Sequence, residues 1–269
     1  MKQVKDIHFI HANGFYPDAY SPLLNNLNSN FNINKFLIKP VNENKNNYKK
    51  IKTWRYFQEK FEKSLIEDKK IIGLGHSIGG NIILRSCINK PEYFSKIILL
   101  DPTLFIPRII FFWKISLFLN LHNYTHPWLK ATLRRKMEYN DISDIFNSYR
   151  SKKIFSKISD SNLLIYIKSI TEIKNNKIII TYPRQWEYQI YKSGLLADKY
   201  IWKNIKKIEV PTLIIRAKRS NTFLKSAEKR VNKLKKSNIQ IINIDNCTHL
   251  FPLEIPNKVS KLISNFITN

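Results

Sequence analysis

Cysteine is nearly missing from this chain: Cys87 and Cys247 are the only two in 269 residues. They exclude a disulfide framework and have no metal-ligand spacing, so no metal is expected. Acid is scarce as well, with 20 Asp and Glu against 46 Lys and Arg, a formal net charge of +26. Such a balance invites a nucleic-acid partner. The cations are nevertheless spread from Lys2 to Lys261 with abundant Asn and Ile, a chain-wide bias and not a local footprint. The densest groups, Lys49-Lys50, Arg134-Arg135-Lys136 and Lys233-Lys235-Lys236, are expected on solvated helix faces, with no specific nucleic acid bound. Long apolar runs are also wanting. The one candidate, Leu104 to Leu121, contains Pro107, Arg108 and Lys114, which argues against a spanning helix. Met1 to Asp6 leads within a few residues into a strand, leaving no room for a signal peptide, and the expected location is cytoplasmic.

Glycine is the most telling shortage. There are six, and four of them are Gly73, Gly75, Gly79 and Gly80. They belong to Ile71-Ile-Gly-Leu-Gly-His-Ser-Ile-Gly-Gly80, an apolar run that ends in G-x-S-x-G just before a helix-like segment. A serine at the tip of so sharp a strand-to-helix turn takes a strained backbone conformation. Its neighbours two residues away must lack a Cβ to avoid collision. A fifth glycine, Gly14, lies in a loop after the first apolar run.

In chain order, strands are predicted at Ile7–Ile10, at 35–38 (closed by Pro40), and at 70–74, 96–100, 211–216 and 239–244. Helices alternate with them at about 18–27, from Ile51 with a stripe of Trp54, Phe57, Phe61 and Leu65, to about Asn89 after the serine, and at 223–236 and 256–267. Residues 41–50 read as a surface loop. Alternation of this kind predicts a mostly parallel sheet of about six strands with helices on both faces. It breaks between 103 and 205, where aromatic-rich helical patterns recur at 108–121, 126–137, 141–157 and 159–173. The expected organisation is a core of 1–102 and 206–269 with an inserted helical cap, 103–205.

The order Ser77 … His249, with His249 in a loop after the last strand, and His11-Ala-Asn-Gly-Phe15 after the first, resembles the α/β-hydrolase superfamily in its lid-bearing serine branch. The resemblance covers the whole chain, the cap least specifically. It implies Ser77 as nucleophile and His249 as its base. An oxyanion hole is expected from the backbone N–H groups of Ile78 and Asn13. His76 and His11 are expected to brace loops, while His8, His122 and His126 carry no assigned role. No cofactor is implied.

The third member of the constellation departs from the family's pattern. The loop that usually carries the acid reads Ala217-Lys-Arg-Ser-Asn-Thr222, so Asn221 stands at the acid's position. Asp101, at the end of the strand after the serine, is the other candidate, since some members of the superfamily place their acid there. Ordinary Asp-Pro turn chemistry is the competing explanation. Asp245 is a poorer choice, four residues before His249. The expected activity is cleavage of an ester or related acyl bond of a small, partly apolar substrate through an acyl-enzyme. Cleavage of C–C bonds or lactones by the same serine remains open, as does a non-catalytic binding protein with a degenerate triad. The apolar lid also offers a surface for a homodimer.

Overall fold

The computed structural model describes residues 5–38, 45–234 and 237–269. Pro40, residues 41–44 of the loop expected at 41–50, Lys2, Lys235 and Lys236 lie outside the described residues, and the rest of that loop, Lys45–Lys50, forms a short 3-10 helix. A six-stranded sheet organises the chain: β1 (Asp6–Ile10), β2 (Asn32–Phe36), β3 (Ile71–His76), β4 (Phe94–Leu100), β8 (Thr212–Ala217) and β9 (Ile239–Ile244), in spatial order β2-β1-β3-β4-β8-β9. Every neighbouring pair is parallel. The expected strand at 35–38 lies earlier, at Asn32–Phe36.

Period-2 alternation sorts the apolar residues onto the two faces. Ile7, Phe9, Ile98, Leu100, Leu213 and Ile215 enter one core with residues of α1 (Ser21–Asn28), α12 (Phe251–Glu254) and α13 (Pro256–Thr268). Ile10, Ile97, Leu99 and Ile214 enter the other, under α2 (Arg55–Glu62), α3 (Ile78–Asn89) and α11 (Lys225–Leu234). All six residues of β3 are buried, as a central parallel strand covered on both faces requires.

Between β4 and β8 come α4 (Pro107–Phe118), α5 (His122–Thr125), α6 (Pro127–Arg134), β5 (Glu138–Tyr139), α7 (Ile142–Arg150), α8 (Asp160–Ser169), β6 (Thr171–Lys174), β7 (Lys177–Ile180), α9 (Arg184–Gly194) and α10 (Asp198–Asn204). The insertion is largely helical, but it also holds a second sheet, β5-β7-β6, with antiparallel pairs. The helix expected over 159–173 ends at Ser169, and 171–174 turns back against 177–180 as a hairpin through Asn175 and Asn176, both at positive φ.

The chain runs from β1 outward to β2 and returns to the other side of β1 as β3. The loops after β1 and β3 therefore part at a topological switch point, the place where open parallel sheets form clefts.

Candidate active site

Ser77 sits between β3 and α3 at φ 59° and ψ −118°, left-handed territory that an ordinary residue avoids. The two flanking glycines explain how the turn is tolerated. A Cβ on Gly75 would run into the Gly79 backbone, and one on Gly79 into the Ile10 carbonyl, so the sequence G-x-S-x-G is a packing requirement here. The turn is fastened by backbone bonds from Ser77 N–H to the Leu100 carbonyl (3.0 Å) and from Thr103 N–H to the Ser77 carbonyl (3.0 Å).

Asp101 follows β4 at φ 41° and is fully buried. Its N–H donates to the Ile215 carbonyl at 2.7 Å, and its Oδ1 accepts from Ala217 N–H at 3.2 Å. Its Oδ2 lies 2.7 Å from His249 Nδ1. Thr222 Oγ1 touches both groups, 3.3 Å from Asp101 Oδ2 and 3.0 Å from His249 Nδ1. Asn221, the residue at the family's usual acid position, lines the same cavity but makes no hydrogen bond to His249 among the described residues. Asp245 pairs instead with Lys218 at 2.9 Å, on the exposed surface.

Ser77, His249, Asn13 and Ile78 all line one cavity of about 700 Å³. The Ser77 hydroxyl shares a hydrogen bond with Thr103 Oγ1 (3.1 Å), and no bond joins it to His249 among the described residues. The Asn13 side chain is fully engaged by the insertion: its Nδ2 donates to the Glu187 carbonyl at 3.0 Å and its Oδ1 accepts from Tyr182 Oη at 3.2 Å. The following Gly14, at φ 81°, has the Glu187 carboxylate where a side chain would go.

Two histidines hold these loops together. His11 Nδ1 donates to the Ala12 carbonyl (2.8 Å) and its Nε2 accepts from Ile38 N–H (3.0 Å), which fixes the neutral tautomer. Burial lowers its pKa to about 4. His76 Nε2 donates to the His249 carbonyl at 2.9 Å, while Tyr20 Oη, which accepts from Ala12 N–H, meets its Nδ1 at 2.7 Å. Burial, aided by the neighbouring His249, pushes the His76 pKa well down. This Ala12–Tyr20–His76–His249 chain links three loops, and sequence reading did not find Tyr20 or the two threonines, Thr103 and Thr222. Only the adjacency of Thr222 to Asn221 hinted at any of them.

Arg135 was expected on a solvated face and is instead largely buried. It pairs with the Glu187 carboxylate and donates through Nη2 to the Tyr182 carbonyl (3.0 Å). Burial raises the Glu187 pKa, with Arg135 pulling against it. Behind Ser77, buried Asp198 accepts from Asn81 Nδ2 (2.6 Å) and Phe105 N–H (2.7 Å), and the same Asn81 Nδ2 donates to the Thr103 carbonyl at 2.7 Å. Burial raises the Asp198 pKa to about 7. Among the described residues no group of His, Cys, Asp and Glu is placed to hold a metal.

A parallel sheet in this order, a serine at a strained strand-to-helix turn and a histidine bonded to a carboxylate after the last strand together define an α/β-hydrolase. Residues 54–256 match the model of the family described as Serine aminopeptidase, S33, and the chain belongs to that family. It is similar to hydrolase YugF of Bacillus subtilis (strain 168), 25% identical over 206 residues that make up 75% of this chain and 67% of the relative. Its fold is similar to that of the peroxisomal alpha-beta-hydrolase Lpx1 of Saccharomyces cerevisiae, at TM-score 0.73 and 17% identity, covering 99% of this chain and 77% of that one. It is likewise similar to the thioesterase domain from the curacin biosynthetic pathway, at TM-score 0.76 and 12% identity, covering 99% and 92%.

Proposed function

We propose that this protein is a serine hydrolase that cleaves an ester or related acyl bond through an acyl-enzyme, with Ser77 as nucleophile, His249 as general base and Asp101 as the acid. The observation that carries the reading is the 2.7 Å contact between His249 Nδ1 and the buried Asp101 Oδ2, on the cavity that Ser77 also lines. Nδ1–H then faces the carboxylate and leaves Nε2 to take the serine proton. The Ser77 hydroxyl leaves Thr103 for His249, Oγ attacks the substrate carbonyl, and Nε2 passes the proton to the departing alcohol. Water, deprotonated by the same ring, releases the acid. The developing oxyanion is held by the main-chain N–H groups of Ile78 and Asn13. The Asn13 side chain is already engaged by Glu187 and Tyr182, which supports a loop held ready for that task.

The cavity favours an apolar acyl group. Its walls include Phe105, Ile109, Phe112, Trp113 and Leu195. Peptide cleavage at a free amino terminus is the second reading, after the name of the family. An α-ammonium needs an anionic partner, yet among the described residues no Asp or Glu lines the cavity, whereas Lys153 and Arg219 do. Opening of a lactone or a C–C bond would use the same serine chemistry.

Labelling with a fluorophosphonate probe tests the proposal. Wild type is expected to label, Ser77→Ala to lose labelling, and Asp101→Asn to slow it strongly. An unreactive wild type would refute the acyl-enzyme reading and favour a binding protein.

A further inference from the structure

The helix α4 has an apolar inner face and an apolar outer face, and only the inner one is covered. Ile110, Trp113 and Ser116 are buried, with Trp113 Nε1 donating to the Lys192 carbonyl at 3.2 Å. The outer face presents Phe111 (60% exposed) and Phe118 (85% exposed), with Phe112 and Ile115 beside them. A helix with two apolar faces belongs inside something, and among the described residues nothing covers the outer one. The feature is also local. Of the twelve large apolar side chains exposed among the described residues, nine fall between 111 and 133. Two of the nine, Phe112 and Trp128, line the catalytic cavity as well, so the patch runs into the mouth of the site.

Charge selects among occupants. No Asp or Glu occurs between Asp101 and Glu138, while Arg108, Lys114, Lys130 and Arg134 do. Lys130 Nζ stands 3.5 Å over the Tyr124 ring, and the Arg108 guanidinium lies over the Phe112 ring, which puts cations directly among the exposed aromatics. In a two-fold dimer through this face, the same cations would meet their own copies with no local acid to pair them. An anionic lipid surface satisfies both components, taking the aromatics among its acyl chains and the cations at its headgroups. No helix among the described residues is long and apolar enough to cross a membrane, so the face would lie in the interface.

We propose that the outer face of α4, with the α5–α6 segment behind it, docks on anionic phospholipid bilayers and sets the mouth of the cavity against the lipid. The docking stands by itself; only the delivery of a lipid-borne acyl substrate to Ser77 rests on the hydrolase reading above.

The test is co-sedimentation of the full chain with vesicles of phosphatidylcholine containing phosphatidylglycerol, at physiological ionic strength. Wild type and Ser77→Ala are expected to bind alike. Phe111→Ser/Phe118→Ser keeps every charge and is expected to lose roughly tenfold or more in partitioning. Phe118→Glu guards against a folding artefact, because so exposed a side chain contributes little to the core, and it is expected to bind as poorly. Three results overturn the proposal: no binding by wild type, equal binding by the phenylalanine variants (overall charge alone), or a wild-type dimer that those variants dissolve without vesicle binding. Fluorophosphonate labelling of the same samples keeps the two ideas apart. Vesicle binding without labelling would remove the hydrolase chemistry and leave the docking.

Discussion

The sheet region and the insertion between β4 and β8 hold their polar groups in different ways. In the sheet region the backbone does the holding. Ser77 is fixed by main-chain bonds to Leu100 and Thr103, and Asp101 by a main-chain bond to Ile215 and by the Ala217 N–H on its carboxylate, all at strand ends. In the insertion the work falls largely to buried groups from distant positions: the Tyr182 hydroxyl and the Glu187 carbonyl reach the Asn13 side chain, and the Asp198 carboxylate reaches Asn81. The placement of Ser77 and Asp101 is thus set by sheet topology, and the support of the surrounding loops by long-range polar contacts. The sharpest way to break that division is Asp101→Asn. An amide still accepts from Ala217 N–H but brings no charge to His249, so kcat toward a chromogenic ester is expected to fall by about three to four orders of magnitude, with the fold intact by circular dichroism. A loss of tenfold or less would mean that the charge at β4 is not the orienting group.

The insertion's own anchor is the Arg135–Glu187 pair. Both side chains are nearly buried, so removing one partner strands the other charge without solvent. Arg135→Met is expected to cost about 3–5 kcal/mol, a drop in Tm on the order of 10 °C. The double variant Arg135→Met/Glu187→Met should recover part of that loss, because an apolar pair leaves no orphan charge. Equal losses in the single and double variants would show that packing, not charge pairing, holds this part of the insertion to the loop after β1.

Asp198 lets pH probe the junction between the two regions. Its folded pKa, raised by burial to about 7, stands above the ordinary value of 3.8. Between those values the unfolded chain has already released the proton and the folded one still holds it, so this group makes stability fall as pH rises from about 4 to about 7, and is level above. Two histidines act oppositely: the pKa values of buried His11 and half-buried His126 are lowered to about 4, and they favour the fold increasingly as pH rises towards 6.5. The quantity to measure is therefore the difference in urea midpoint between wild type and Asp198→Asn across pH 4.5 to 7.5. The variant is expected to gain on wild type with rising pH, by on the order of a few kcal/mol at the top of the range. A constant difference would mean that Asp198 ionises normally.

Legibility in the sequence follows the same divide. β9 and α3 matched their expected ranges because an apolar run, or a glycine-marked start, decides them locally. The serine turn was legible because Gly75 and Gly79 have no substitute there. The hairpin of β6 and β7 was not, since Thr171–Lys174 and Lys177–Ile180 are four-residue strands that gain their ladder only from each other and from Glu138–Tyr139. Arg135 was misread for a related reason. A run of three cations on a helix end looks solvated, and it takes Glu187, 52 residues on, together with the Tyr182 carbonyl, to draw the middle one inside. Thr103 and Thr222 are common residues in ordinary loops and Tyr20 ends a short 3-10 helix, Pro17–Tyr20, and no local pattern marks a hydroxyl that will bond across the fold.

Thr222 offers the smallest and finest test. Its hydroxyl stands within hydrogen-bond distance of both Asp101 Oδ2 and His249 Nδ1, while the adjacent Asn221 reaches neither. With one proton to give, it donates to the carboxylate and turns a lone pair toward Nδ1–H, steadying the two groups relative to each other. Thr222→Val keeps the shape and removes this bond, worth about 1 kcal/mol, so kcat is expected to fall roughly fivefold with KM unchanged. Asn221→Ala is expected to leave kcat within about twofold, since no interaction with the reacting groups is lost. The reverse order of effects would return the orienting role to the amide at the family's usual acid position. It would also mean that the loop after β8 acts on His249 through a geometry reached only with substrate in the cavity.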